Sequence, residues 1–205
     1  MLSNIQNHSF IIGIILAGGR ARRMQGQDKG LIELQQQPLI QHVIHRLQPQ
    51  VATIRINANR NLDRYQRFGF PVFTDARQDF QGPLSGMLQG LHQLEAESAE
   101  WIVCVPCDAP QLPLDLVARF SRALAENDRA AVADDGQWMQ PTFCMLHRSL
   151  SDSLARYIAH GGRKTGDWLR QENAVPVDFS DQAAAFANIN SHDDLQRYIE
   201  ENTHE

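Results

Sequence analysis

The sequence predicts a three-layer α/β domain on a mostly parallel central sheet. Two observations carry that expectation. Short apolar, β-branched segments alternate with helical patterns along most of the chain. The strands also read as continuous apolar runs, as strands covered on both faces do. Phe10–Leu16 is the first strand, and Pro38–Leu47 follows as a helix with proline in its first turn. Val51–Asn57 is a strand, Leu62–Phe68 a short helix, and Val72–Thr74 a strand that ends at Asp75. Leu84–Leu94 is helical and Trp101–Val105 is a strongly apolar strand. Pro113 introduces a helix over Leu114–Glu126, in which Leu116, Phe120 and Leu124 recur every four residues and so share a buried face.

The second half is less regular. Ala130–Ala133 and Thr142–Leu146 are strands around a turn at Asp134–Trp138. Ser151–Ala159 and Thr165–Arg170 are helical, and Ala174–Val177 is a short strand. Ser191 with Asp194 forms a capping box that opens a last helix, Asp193–Glu200. With no repeat, low-complexity tract or linker, the 205 residues read as a single domain. Its nucleotide-binding half covers about 8–110, and a second half about 111–205.

Composition excludes several function classes. The formal net charge of −5 argues against a nucleic-acid-binding surface. No stretch reaches transmembrane length, and the N-terminus lacks the charge and cleavage pattern of a secretory signal. Three cysteines form no disulfide framework, which fits a reducing cytoplasm. Cys104 and Cys107 are spaced C-x-x-C, but Cys104 falls inside a strand and no paired third and fourth ligands exist for zinc, so both read as packing residues. His42 and His45, one helical turn apart, lack a neighbouring carboxylate motif and read as ordinary surface or core histidines.

Chemistry concentrates where the first strand ends. Leu16-Ala17-Gly18-Gly19 leads into Arg20, Arg22, Arg23 and Lys29, opposed only by Asp28. Paired glycines let successive amides point at an anion, and cations neutralise what the amides hold. The spacing matches neither the G-x-G-x-x-G fingerprint nor a P-loop, since Lys29 is followed by Gly30. Gly161-Gly162-Arg163-Lys164-Thr165 comes closer to a P-loop, but Arg163 stands at the glycine position. Asp108 follows the Trp101–Val105 strand directly, where it is either a Mg²⁺ ligand beside substrate phosphates or a turn aspartate. Asn57 and Asp75 end strands on the same edge and suit either a base or ribose contact or a turn. Gly82-Pro83-Leu84-Ser85-Gly86 brings a helix N-terminus to that edge, and Asn188-Ile189-Asn190 puts two amides on one face of an extended segment.

The run Leu16-Ala17-Gly18-Gly19-x-Ala21-x-Arg23-Met24-x-Gly26-x-Asp28-Lys29 resembles the signature of the molybdenum cofactor guanylyltransferase family. The likeness continues in order through Asn57-Ala58-Asn59, Asp75, Gly82-Pro83-Leu84-x-Gly86-Met87, Pro106-Cys107-Asp108-x-Pro110, Pro141-Thr142 and Asn188-Ile189-Asn190-Ser191. Asp28 before Lys29 is the form of that branch, whereas sugar-1-phosphate enzymes carry proline there. The resemblance implies a Rossmann-like nucleotidyltransferase that joins GMP from GTP to the phosphate of molybdenum-loaded molybdopterin and releases pyrophosphate. It implies that Leu16, Ala17, Gly18, Gly19, Lys29, Asn57, Asp75 and Asp108 bind GTP, with Arg23, Lys29 and Asp108 catalytic and Mg²⁺ on Asp108. Arg23, Gly82, Arg163, Asn188 and Asn190 would contact molybdopterin or line the site. The expected protein is cytoplasmic and monomeric, with cofactor-delivery or acceptor proteins as partners and neither nucleic acid nor membrane among them. A cytidylyltransferase, acting on molybdopterin or a sugar-alcohol phosphate, and a non-catalytic nucleotide- or cofactor-binding module are the competing expectations.

Overall fold

The strand β1 (Ile11–Leu16) is apolar at nearly every position, and its side chains feed two separate cores. Ile11 and Ile15 point to one face of the sheet, Ile12 and Ile14 to the other. The computed structural model describes residues 11–18, 28–76, 82–94, 98–189, 194–196 and 198. A small hairpin follows, β2 (Glu33–Leu34) and β3 (Gln37–Pro38), then α1 (Leu39–Leu47) and β4 (Thr53–Asn57). Next come α2 (Leu62–Gln66), β5 (Val72–Phe73), α3 (Pro83–His92) and β6 (Trp101–Pro106). The second half adds α4 (Leu116–Ala123), β7 (Ala130–Asp134), β8 (Met139–His147), α5 (Ser151–Ala159), α6 (Thr165–Gln171) and β9 (Val175–Asp178).

Among the described residues the main sheet has seven strands in the order β5-β4-β1-β6-β8-β7-β9. β8 runs against both of its neighbours, and every other pairing is parallel. The expected mostly parallel α/β architecture is therefore observed. One face is covered by α1, α2 and α4, whose Ile40, Val43, Ile44, Tyr65, Val117 and Phe120 are buried against it. The other is covered by α3, α5 and α6 through Met87, Leu91, Leu154, Trp168 and Leu169. The four-residue recurrence of Leu116, Phe120 and Leu124 does produce a buried face, but the helix starts at Leu116 and leaves Leu114 exposed.

The β2–β3 hairpin was not expected from the sequence. Its turn residues Gln35 and Gln36 both have positive φ, the geometry of a tight hairpin that glycine and asparagine usually advertise. A 3₁₀ segment at Ser180–Phe186 was likewise not expected. It is held to the sheet by a chain of edge-to-face rings: Phe120 to Phe179 at 5.9 Å, Phe179 to Phe186 at 5.3 Å, and Phe186 to Phe143 at 4.8 Å. Arg119 stacks on Phe179 and also bridges Asp115 and Asp181, fastening the same segment from outside. Ser191 of the expected capping box lies outside the described residues, as does Asp193, the expected start of the last helix.

Removing one of the two inner rings of that chain tests how firmly the segment is held. Phe179→Ala should lose about 3–5 kcal/mol of stability, the usual cost of deleting a fully buried aromatic, measured by urea denaturation. Leu114→Ala, at an exposed position, should stay within about 0.5 kcal/mol of the parent.

Candidate active site

Strand order reverses at β1: β4 lies on one side of it and β6 on the other. At such a switch point the loops leaving the carboxyl ends of neighbouring strands part, and a crevice opens between them. A cleft occurs there, lined by Leu16, Ala17 and Gly18 from the end of β1 and Asn57 from β4. Pro106 ends β6 and Cys107 and Asp108 follow it, while Gly82 and Pro83 come from the start of α3. Asp28, Lys29, Thr142 and Asn188 complete the wall.

The β6–β8 pairing stops at Cys104 and Cys144, so the last residues of β6 have no partner on that side. β8 is also irregular against β7, where adjacent Val132 and Ala133 pair with Cys144 and Gln140. Pro141, which has no N–H to offer a ladder, sits in this bulge beside Thr142. The bulge turns β8 away from β6 and makes Thr142 a wall of the cleft.

Asp108 is 7% exposed. Its Oδ2 accepts a hydrogen bond from Lys29 Nζ at 3.2 Å, which is also an ion pair. Burial pushes the Asp108 carboxyl above its ordinary range, and the Lys29 charge pulls in the opposite direction without overcoming it. Its backbone is fixed as well: Ile189 N donates to Asp108 O at 2.9 Å, which docks the Asn188 segment against the strand end.

Asp28, beside Lys29, is buried. Its carboxylate accepts from Tyr65 Oη at 2.5 Å and from Asn61 Nδ2 at 3.1 Å. Burial keeps the Tyr65 hydroxyl protonated far above its ordinary range, so it serves as a fixed donor. The Asp28 pairing thereby anchors the base of Lys29.

A third network joins the ends of β1, β4 and β5. Asn57 Nδ2 donates to Asp75 Oδ1 at 3.0 Å, and Asn59 Nδ2 donates to Asp75 Oδ2 at 2.8 Å. Asp75 N donates in return to Asn59 Oδ1 at 2.9 Å. Asp75 is not among the described residues that line the cleft. The packing around Asn57 leaves no room for side chains. A Cβ on Gly18 would lie 2.8 Å from Asn59 Nδ2, and one on Gly86 would lie 2.3 Å from Asn57 Oδ1 and 2.8 Å from Leu16 Cδ2. A Cβ on Gly82 would meet nothing within 4 Å, so this position leaves space at the cleft.

Of the expected residues, Leu16, Ala17, Gly18, Lys29, Asn57, Gly82, Asp108 and Asn188 are brought together. Gly19, Arg23 and Asn190 lie outside the described residues. Arg163 is not among the described residues that line the cleft. Gly161, at φ +89°, and Gly162 end α5 by donating to Ile158 O and Tyr157 O. Arg163 Nη1 donates to Ile158 O and Gly162 O, so this glycine-rich basic run is a helix stop. Cys104, Cys107 and Cys144 are buried free thiols, and burial raises the first two. Sequence reasoning assigned no site role to Asn59, Tyr65, Gly86 or Thr142, although Asn59, Gly86 and Thr142 fall in the runs that carry the family likeness.

Gly86→Ala tests the close approach, because two effects oppose one another. Alanine in a helix interior gains about 1 kcal/mol over glycine, while overpacking costs about 1–3 kcal/mol. Asn57 is buried and tied to Asp75, so overpacking should win. Thermal melting should fall rather than rise, with nucleotide affinity weakened alongside.

The comparisons with known proteins agree with this geometry. Residues 13–175 match the family model described as a MobA-like NTP transferase domain. A molybdenum cofactor guanylyltransferase from Photobacterium profundum is 49% identical over 185 residues, covering 90% of this chain and 93% of the relative. One of the same name from Pasteurella multocida is 47% identical over 184 residues, covering 89% and 96%. The crystal structure of molybdopterin-guanine dinucleotide biosynthesis protein A from Archaeoglobus fulgidus superposes with a TM-score of 0.75. At 22% identity over 94% of this chain and 98% of that one, it speaks for the fold alone. Strand order, cleft and matched motifs converge on one conclusion: the chain belongs to the molybdenum cofactor guanylyltransferase family of MobA-like nucleotidyltransferases.

Proposed function

We propose that the protein transfers GMP from GTP to the phosphate of molybdenum-loaded molybdopterin, forming the guanine dinucleotide cofactor and pyrophosphate. The observation that carries this reading is the Lys29–Asp108 pair in a cleft at the strand-order switch. The names of relatives at 47–49% identity support the choice of base and acceptor.

In the reaction, an oxygen of the acceptor phosphate bonds to the α-phosphorus of GTP. The bond from that phosphorus to the pyrophosphate oxygen breaks, and its electron pair leaves with pyrophosphate. The acceptor oxygen is already anionic at neutral pH, so no general base is required. The difficulty lies in bringing two polyanions together and stabilising charge on the leaving group. Lys29 Nζ meets that need by passing from Asp108 to the phosphates when nucleotide binds. Gly82 leaves the backbone open to close approach, and Asn57 is held rigid by Asp75 to read the nucleoside. Arg23, Gly19, Asn188 and Asn190 take the remaining phosphate and acceptor contacts, as their motifs suggest.

Asp108 is the residue suited to Mg²⁺. A hard carboxylate at the phosphate edge matches the ion's preference for one or two protein carboxylates plus phosphate oxygens and water. Among the described residues no group of three or more His, Cys, Asp or Glu could hold a metal ion alone, which suits an ion that arrives with its nucleotide. When bound, it would supply Lewis-acid stabilisation of phosphate charge.

Asp108→Asn separates a chemical role from a structural one. The substitution removes a buried charge whose ionised form is disfavoured, so the melting temperature should stay at or above the parent's. Pyrophosphate release with MgGTP and molybdenum-loaded molybdopterin should fall at least about a hundredfold; unchanged turnover would remove Asp108 from the mechanism. Lys29→Ala should weaken GTP binding or transfer, and normal kinetics would make the charge incidental. Parallel assays with CTP and ATP check the base, with GTP expected to dominate.

A further inference from the structure

The pterin ring of the acceptor has no partner among the contacts assigned above. The ring and the reacting phosphate lie at opposite ends of the acceptor, so a side chain that holds the ring must be set back from Asp108. Trp138 fits that position. β7 runs parallel to β1 and β6 and ends at Asp134, so the turn after it stands on the edge of the sheet where the cleft opens. Trp138 leads from that turn into β8, four residues before Thr142 on the cleft wall. Four residues of chain reach at most about 13 Å.

The indole is 72% exposed, whereas Trp101 and Trp168 are buried. Large aromatic side chains are seldom left so open, and this one is not on a loose loop. Asp135 accepts hydrogen bonds from the backbone N–H groups of Gln137 at 2.8 Å and Trp138 at 2.7 Å, and from Gln140 Nε2 at 2.6 Å. Asp135 N donates back to Trp138 O at 3.1 Å, and Gly136 N donates to Asp134 Oδ1 at 2.9 Å. A flat, polarisable face is thus presented on a rigid turn. Such a face binds heteroaromatic rings by stacking.

We propose that Trp138 is the stacking platform for the pterin of the acceptor substrate, and so a specificity-determining residue of this chain. The proposal rests on the transfer reaction proposed above. Its test uses the full-length protein and two readouts. In the first, acrylamide quenching of the exposed indole should be relieved by molybdopterin and unaffected by GTP. In the second, Trp138→Ala should raise the KM for molybdopterin tenfold or more, about the size of one aromatic stack. The KM for GTP should be unchanged, and Trp138→Phe should recover part of the loss. Unrelieved quenching together with an unchanged acceptor KM would overturn the proposal, whatever protein the indole then touched. A parent protein that transfers no GMP would overturn the parent reading instead; the quenching readout would still decide the stacking role, upholding it by protection and overturning it without.

Discussion

A carboxylate held out of water at the end of the central sheet is the constraint around which the cleft is arranged. Asp108 is ionisable and buried, and burial pushes its carboxyl above the ordinary range. Lys29 offsets part of that tendency across 3.2 Å. The pair is not a source of much stability, because desolvation of its two members consumes most of what their attraction supplies. Its value lies in position: one fixed negative and one positive group beside a space for phosphates. The surrounding contacts serve that position. Tyr65 and Asn61 hold Asp28 next to Lys29, and Ile189 pins the backbone of Asp108.

The space itself follows from strand pairing. β1 parts company with the loops of its neighbours because β4 and β6 lie on opposite sides of it. β8 widens the opening by leaving β6 after Cys104 and bulging at Pro141. A fully paired antiparallel strand would have closed this wall. The antiparallel strand is therefore the element that opens this side of a doubly covered sheet.

Much of this was legible in the chain. Apolar runs such as Ile11–Leu16 and Trp101–Pro106 announce strands buried on both faces, and Gly18 and Asp108 stand directly after them. What the chain did not disclose depends on partners far apart in sequence. Asp75 stands out in the chain as a strand-end carboxylate, but its ties to Asn57 and Asn59 show only in the fold. The role of Gly86 becomes visible only once Asn57 lies against α3. The Gly161-Gly162-Arg163 run shares its composition with anion-binding loops, yet its local hydrogen bonds are those of a helix end. The β2–β3 turn escaped notice because glutamines occupy backbone positions that glycine and asparagine normally mark.

The docking of Ile189 on Asp108 bears on how the protein comes to be made. Residues 16–18 and residue 188 line one cleft, so its walls draw on chain segments separated by most of the sequence. Contacts of such long range form late, since the intervening chain must be ordered before they are rewarded. During synthesis, β1, β4 and β6 can assemble while the ribosome still holds the remainder. The wall that carries Asn188 is added only after α4, the β7–β8 hairpin and the phenylalanine chain have settled. A nascent chain therefore passes through a stage with an unfinished pocket, which is complete only once residue 188 has joined residues 16–18.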